Sequence, residues 1–121
     1  MLTKKVKATT QAIIRVLTEA APAYAEHLGA KEVKVMSHGT RAKGGYAWLR
    51  VSVYDVQSMQ RFYFLVRMTH RGHVWDVFPE VRERYSDNTL AFGNKQCISR
   101  SHESIAPEVL GDPVKMFGPK P

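Results

Sequence analysis

Residues 46–71 alternate between apolar and polar side chains with a period of two, which constrains the fold more than any other feature. In the first run the apolar residues have odd numbers, and in the second run they have even numbers. They are Ala47, Leu49, Val51 and Val53, followed by Phe62, Phe64, Val66 and Met68. A β-strand places successive side chains on opposite faces of its sheet. The sequence therefore predicts an antiparallel hairpin with one face in a core and the other facing solvent or a partner.

The opposite face of this predicted hairpin is aromatic and basic. Its positions are Tyr46, Trp48, Arg50, Ser52, Tyr54, Arg61, Tyr63, Leu65, Arg67 and Arg71. Arginines between flat rings suit a phosphate backbone with unstacked bases. The same residues are equally compatible with burial of Trp48 and Tyr63 beneath the segment after Pro79. Contact with a protein is a further alternative, because Tyr, Trp and Arg dominate interface hot spots.

The remainder of the chain predicts one helix before the hairpin and two further strands. Thr9 or Thr10 is a candidate cap for a helix whose apolar residues recur at helical spacing up to Leu28. Pro22 either kinks this helix or opens a second one, and Gly29 ends it. Strands are predicted over residues 31–38, 46–56, 60–70 and 74–78, with a loop over 39–45 and a turn over 57–59.

These elements predict an α+β domain over residues 1–111, with the N-terminal helix packed on a four-stranded, mainly antiparallel sheet. We expect the helix to cover the apolar face of the hairpin. After Pro79 the pattern weakens to an irregular C-terminal segment, with a short helix over residues 104–110. Residues 112–121 contain three prolines and are expected to form a Pro/Gly-containing tail.

Positive charge concentrates around the hairpin. The chain has 18 Lys and Arg against 11 Asp and Glu, a formal net charge of +7. Residues 41–71 hold six of these cations and one acid, whereas residues 72–121 hold six cations and seven acids. A local basic patch attracts polyanions and speeds encounter with them. A solvated basic surface without a ligand is the simpler alternative.

The loop that precedes the hairpin, residues 37–45 (SHGTRAKGG), extends the basic patch. Arg41 and Lys43 are candidates for contact with phosphate oxygens, and the glycines allow close backbone approach. The loop lacks the GxxxxGK[ST] spacing of a Walker loop, and no helix is predicted after it. Glycines are also what a hairpin turn requires, so the loop adds charge to the candidate site without defining a nucleotide fold.

Three other groups of residues lack the pattern that catalytic or metal chemistry needs. His70, His73 and Asp76 offer zinc-type ligands, but no second ligand pair has a recognised spacing. Cys97 has His102 five residues on, without any sign of an activated thiolate. The acids after the fourth strand alternate with arginines, which favours solvated ion pairs over a metal site. We therefore predict that the protein is not an enzyme and uses no cofactor or metal.

The leading hypothesis is a small, basic, non-enzymatic protein that binds nucleic acid through the aromatic and arginine-rich sheet face. Single-stranded DNA or RNA is favoured over duplex because unstacked bases expose their rings. The predicted helix carries Arg15 as its only internal cation, unlike a recognition helix. The candidate binding residues are Arg41, Lys43, Tyr46, Trp48, Arg50, Tyr54, Arg61, Tyr63, Arg67 and Arg71.

The main alternative is a protein-interaction module, such as a phage or plasmid inhibitor or adaptor, that docks on an acidic surface of a nucleic-acid-handling partner. Strand edges and an exposed aromatic face would also suit a homodimer. A third hypothesis is a small-molecule binder or enzyme with a pocket between helix and sheet, where His70 is predicted to point inward. The single cysteine and the lack of an apolar run of about 18 residues predict a cytoplasmic protein without a membrane segment.

Overall fold

The computed structural model of the protein describes residues 2–82, 89–90, 98–99 and 105–119. In chain order the elements are α1 (Lys4–Glu19), α2 (Ala21–Leu28), β1 (Val33–Lys43), β2 (Tyr46–Asp55), β3 (Arg61–Met68), β4 (Val74–Arg82), β5 (Thr89–Leu90), β6 (Ile98–Ser99), a 3₁₀ turn (Pro107–Gly111) and α3 (Pro113–Phe117). The predicted α+β fold, an N-terminal helix on a four-stranded antiparallel sheet with an irregular C-terminal segment, is confirmed.

The four long strands pair in the order of the chain, and both two-residue strands pair with β4. Gly44 and Gly45 form the turn between β1 and β2, with positive φ angles of 61° and 80° that suit a two-residue hairpin. The turn between β2 and β3 has no glycine. The Asp55 carboxylate instead accepts hydrogen bonds from the Gln57 N–H at 3.0 Å and the Ser58 hydroxyl at 2.7 Å.

The predicted apolar face of the hairpin lies in the core. All eight of its side chains are at most 1% exposed to solvent. The helices cover this face with Ile13, Leu17 and Tyr24, which are also fully buried. The Tyr24 ring lies 5.6 Å from Phe62 and 6.0 Å from Phe64, measured between ring centroids. Each large apolar side chain buried in this way contributes about 1.5–3 kcal/mol through loss of contact with water.

The N-terminal helix begins earlier than predicted. Thr3 caps it, since its hydroxyl accepts a hydrogen bond from the Val6 N–H at 3.1 Å, and helical structure starts at Lys4 rather than after Thr9. Lysines are good helix formers, and Val6 and Thr10 lie four residues apart on the buried side. Of the two alternatives for Pro22, the second holds, because it lies in the first turn of a separate helix.

Two strands are longer than predicted. β1 continues to Lys43 past a bulge between Ser37 and Thr40, so the predicted loop over residues 39–45 reduces to a two-residue turn. β4 continues past Pro79 to Arg82. Pro79 has no N–H to donate, and the two short strands pair with β4 on either side of it.

The predicted third strand is too long at its C-terminal end. β3 ends at Met68, and His70 and Arg71 lie exposed in the turn that follows. This turn docks on α1, where the hydroxyls of Thr3 and Thr9 donate hydrogen bonds to the carbonyls of His70 and Gly72, each at 2.6 Å. The predictions that His70 points inward and that Arg71 shares the strand face are therefore wrong.

The C-terminal residues differ from the expected tail. Asp112 caps α3 by accepting a hydrogen bond from the Val114 N–H at 3.0 Å. Met116 and Phe117 are buried, and the Phe117 ring stacks on Phe62 with 4.2 Å between centroids. The buried side of α3, formed by Pro113, Met116 and Phe117, thus completes the core, whereas Val114 faces solvent. The 3₁₀ turn overlaps the helix predicted over residues 104–110, whereas Cys97, His102 and residues 83–88 lie outside the described residues.

Candidate nucleic-acid interface

The strand register brings most of the predicted binding residues onto one face of the sheet. Trp48 of β2 lies opposite Arg67 of β3 and Arg41 of β1. Farther along β2, Tyr54 lies opposite Arg61. The sequence could not fix this register. Two clusters with different charge balance result: a locked cluster of Tyr46, Arg67 and Asp76, and an open cluster of Arg41, Lys43, Trp48, Arg50 and Tyr63.

In the locked cluster the positive charge is compensated within the protein. Arg67 Nε donates a hydrogen bond to Asp76 Oδ1 at 3.1 Å, and a second guanidinium nitrogen forms an ion pair with Oδ2. The guanidinium carbon lies 4.6 Å from the Tyr46 ring centroid and 5.7 Å from that of Trp48. Because the Asp76 side chain is only 3% exposed, its charge requires a partner. The main role of Arg67 is therefore to stabilise the fold, and its charge is not available to a ligand.

The open cluster surrounds a concavity of ≈ 270 Å³. The residues that line it are Arg41, Lys43, Trp48, Arg50, Tyr63, Phe64 and Leu65. A neighbouring depression of ≈ 180 Å³ shares Arg41, Trp48 and Arg50 with it. Among the described residues that line either depression there is no carboxylate. Three positive charges and two aromatic rings therefore meet at one place on the sheet, without a compensating acid among the described residues that line it.

The indole of Trp48 is held in place from two sides. Its Nε1 donates a hydrogen bond to the backbone carbonyl of Lys43 at 2.9 Å. The Arg67 guanidinium, fixed by Asp76, lies against the same side chain. Trp48 remains half-exposed in this arrangement. A ring oriented before binding loses little conformational entropy when a ligand stacks on it.

His38 joins this face although the sequence pattern did not single it out as a binding residue. The bulge in β1 brings its Nε2 to 2.9 Å from the Ser52 hydroxyl and its ring to 5.0 Å from the Tyr63 ring. Burial lowers the pKa of His38, and the charges of Arg61 and Arg50 lower it further. The histidine thus adds a neutral ring. The only signal in the sequence is Gly39, whose φ of 98° the bulge uses.

The other predicted residues lie at the margins of the open cluster. The Arg61 guanidinium lies over the Tyr54 ring, 5.4 Å from its centroid, near the turn between β2 and β3. Arg71 is exposed in the turn beside α1 and does not line either depression. Trp75 was missed, because it lies at an irregularity in the pairing of β3 with β4. Its ring centroid is 6.4 Å from that of Tyr46.

The described part of the chain offers no alternative metal centre. No group of three His, Cys, Asp or Glu side chains in residues 2–82, 89–90, 98–99 and 105–119 is arranged to hold a metal ion. Asp76, which the sequence analysis considered and set aside as a zinc-type ligand, is paired with Arg67. Within the same residues, no helix is both long enough and apolar enough to span a bilayer.

Comparisons of the chain with protein-family models, with curated proteins and with solved structures returned no match. The geometry and charge of the sheet face are therefore the basis for inferring a function.

Proposed function

We propose that this protein binds single-stranded nucleic acid on the outer face of β1, β2 and β3 and catalyses no reaction on it. The observation that carries the proposal is the concavity that three cations and two rings line, without a carboxylate among its described residues. Cations attract the phosphates of any nucleic acid and release its condensed counterions. Rings add affinity only where bases are unstacked, which favours single strands over duplex.

Each side chain of the open cluster has a distinct role in this proposal. Arg41, Lys43 and Arg50 are exposed and bind phosphate oxygens. Trp48 stacks on one base, a contact worth about 1–3 kcal/mol, and Tyr63 contacts the neighbouring base or sugar. Arg67 acts as a positioning residue, since its own charge is compensated by Asp76 while its guanidinium contacts the Trp48 ring.

Fluorescence anisotropy with internally labelled oligonucleotides tests this proposal. DNA and RNA 12-mers of one sequence, single-stranded and annealed to their complements, are titrated at 50 mM and 200 mM salt. With three phosphate contacts, single-strand affinity should fall by about 20-fold over this range, given a slope of about −0.7 per contact. Duplexes should bind more weakly than single strands at both salt concentrations.

Substitutions inside and outside the open cluster test whether binding depends on that cluster or on the net positive charge of the protein. Arg41→Gln, Lys43→Gln and Arg50→Gln combined should abolish most of the salt-dependent binding, whereas Arg15→Gln, an exposed cation on α1, should retain it. Absence of binding, or binding that salt does not weaken, would contradict the proposal. A protein partner that the intact chain captures after nuclease treatment, and that the triple variant fails to capture, would favour the interaction-module alternative instead.

A further inference from the structure

The charge density of the open cluster is higher than an internal phosphate requires. An internal phosphodiester carries one negative charge, whereas a terminal phosphate carries about −1.5 to −2 at pH 7 and offers three acceptor oxygens. Arg41, Lys43 and Arg50 all line the same concavity of ≈ 270 Å³. Three cations that converge on so small a volume match the charge of a terminal phosphate better than that of one phosphodiester.

Among the described residues of β1, β2 and β3, the cations also form a track that ends at this concavity. Along the outer face, Arg61 is followed by Arg50, and then by Arg41 and Lys43 at the end of β1. After Lys43, the chain continues into the two glycines of the turn into β2. On β4, Asp76 lies opposite Arg67, which already matches its charge, and Glu80 lies opposite Tyr63.

We propose that the open cluster receives the end of a nucleic-acid strand that carries a terminal phosphate. The phosphate lies among Arg41, Lys43 and Arg50, the terminal base stacks on Trp48, and the strand continues toward Arg61. This inference depends on the proposed function, and it adds that the protein distinguishes strand ends by their phosphorylation. A track that ends in a concavity selects an end, whereas a groove open at both ends accepts any internal segment.

Competition binding distinguishes this inference from general single-strand binding. Four unlabelled competitors of one sequence displace an internally labelled oligonucleotide: the 5′-phosphorylated, 3′-phosphorylated and doubly hydroxylated linear strands, and the covalently closed circle. We expect one of the two phosphorylated strands to compete about tenfold better than the hydroxylated strand, because it adds charge where three cations converge. The circle should compete no better than the hydroxylated strand.

Single substitutions test whether the phosphate preference arises at the open cluster. Lys43→Gln and Arg50→Gln should each reduce the phosphate preference to about threefold or less, because each removes one of three converging cations. Arg15→Gln should keep the full preference. Thermal unfolding of each variant checks that these exposed side chains do not alter the fold.

Other outcomes of these experiments would contradict either the terminal-phosphate site or the proposed function. Equal competition by all four strands would overturn the terminal-phosphate site and leave the proposed single-strand binding intact. Failure of every strand to bind would overturn the proposed function itself. A preference that both Gln variants retain would place the site elsewhere. Competition by the free nucleoside monophosphate as strong as by the phosphorylated strand would show a mononucleotide site instead of a strand-end site.

Discussion

The two faces of the β2–β3 hairpin follow the same alternation but are fixed by different interactions. The inner face consists of side chains at most 1% exposed, held by contact with both N-terminal helices and with α3. Most side chains of the outer face are half-exposed, although Ser52 is buried and Arg50 is exposed. They are fixed by individual contacts such as Arg67 with Asp76 and Trp48 with the Lys43 carbonyl. Burial is non-directional, whereas ion pairs and hydrogen bonds depend on register. The inner face therefore determines the fold, and the outer face is the surface on which we propose binding.

The largest expected effect is a loss of stability from the inner face. Phe64→Ala should lower the free energy of unfolding by about 3–5 kcal/mol, because it leaves a cavity beside Tyr24 and Phe117. Tyr63→Ala, one residue earlier on the outer face, should cost clearly less, since Tyr63 is half-exposed. Urea unfolding monitored by circular dichroism measures both values. Equal losses would erase the distinction between the two faces.

The locked cluster should behave as part of the fold although it lies on the outer face. Arg67→Met should lower the free energy of unfolding by about 3 kcal/mol, because it leaves the buried Asp76 carboxylate without its partner. This value is at the low end for buried ion pairs, since the Arg67 side chain is 26% exposed. Arg50→Met, an exposed cation on the adjacent strand, should change stability by less than about 0.5 kcal/mol. The double variant Arg67→Met with Asp76→Leu should recover much of the loss. Urea unfolding curves that show no recovery would mean that Arg67 stabilises by packing alone.

Binding should respond in the opposite order to stability. Trp48→Leu should weaken single-strand binding by about 1–3 kcal/mol through loss of one stacked base. Tyr46→Leu should weaken it less, because Trp48 lines the concavity and Tyr46 does not. Anisotropy titrations at one salt concentration give both values. A larger effect at Tyr46 than at Trp48 would place the interface on the locked cluster.

A smaller effect should appear in the salt dependence of binding. Arg50→Gln removes one phosphate contact, so the slope of log affinity against log salt should become shallower by about 0.7. The double variant Arg67→Met with Asp76→Leu should leave that slope nearly unchanged, because the charges of Arg67 and Asp76 compensate each other within the protein. Titrations at four salt concentrations between 50 and 200 mM measure both slopes. Equal changes in the two slopes would show that the clusters do not differ in available charge.

The smallest expected effect is on the pH dependence of stability and involves Asp55, in the turn between β2 and β3. The hydrogen bond from the Ser58 hydroxyl, with those from backbone N–H groups, lowers the pKa of Asp55 below its ordinary value of 3.8. A lowered carboxyl pKa stabilises the fold above the unfolded-state pKa, and this stabilisation is lost as pH falls through the folded-state value. Asp55→Asn should be less stable than the parent at pH 7, by under about 1 kcal/mol for so exposed a group. Urea unfolding should show the difference disappear as pH falls through the folded-state pKa of Asp55, and a difference independent of pH would exclude the charge as its cause.

The inner face could be predicted from the sequence because a parity pattern alone specifies it. Eight apolar residues at alternate positions identified the buried side of the hairpin, and their burial is confirmed. The helix start and α3 were missed for local reasons. The cap was assigned to Thr9 or Thr10, although Thr3 caps the helix that starts at Lys4. Asp112 with Pro113 is a helix start that the neighbouring prolines and glycines obscured.

The sequence predicted which residues lie on the outer face, but not which of them pair with one another. Parity placed Trp48, Arg50 and Arg67 on one side of the sheet, and the register confirms that they share it. That Arg67 is bound by Asp76 depends on the pairing of β3 with β4, which contains an irregularity next to Arg67. The position of His38 depends on a bulge of the same kind in β1. Such irregularities are set by tertiary packing, and a period of two along one strand does not encode them.

The most direct test of the central claim uses the two tryptophans separately. Trp48 belongs to the open cluster, whereas Trp75 lies beside Tyr46 and does not line the concavity. In Trp75→Phe, a single-stranded oligonucleotide should quench the remaining Trp48 fluorescence, because a stacked base contacts the indole directly. In Trp48→Phe, the remaining Trp75 should be quenched much less at the same fraction bound. Equal quenching in the two variants, or none in Trp75→Phe, would contradict the assignment of the open cluster as the binding site.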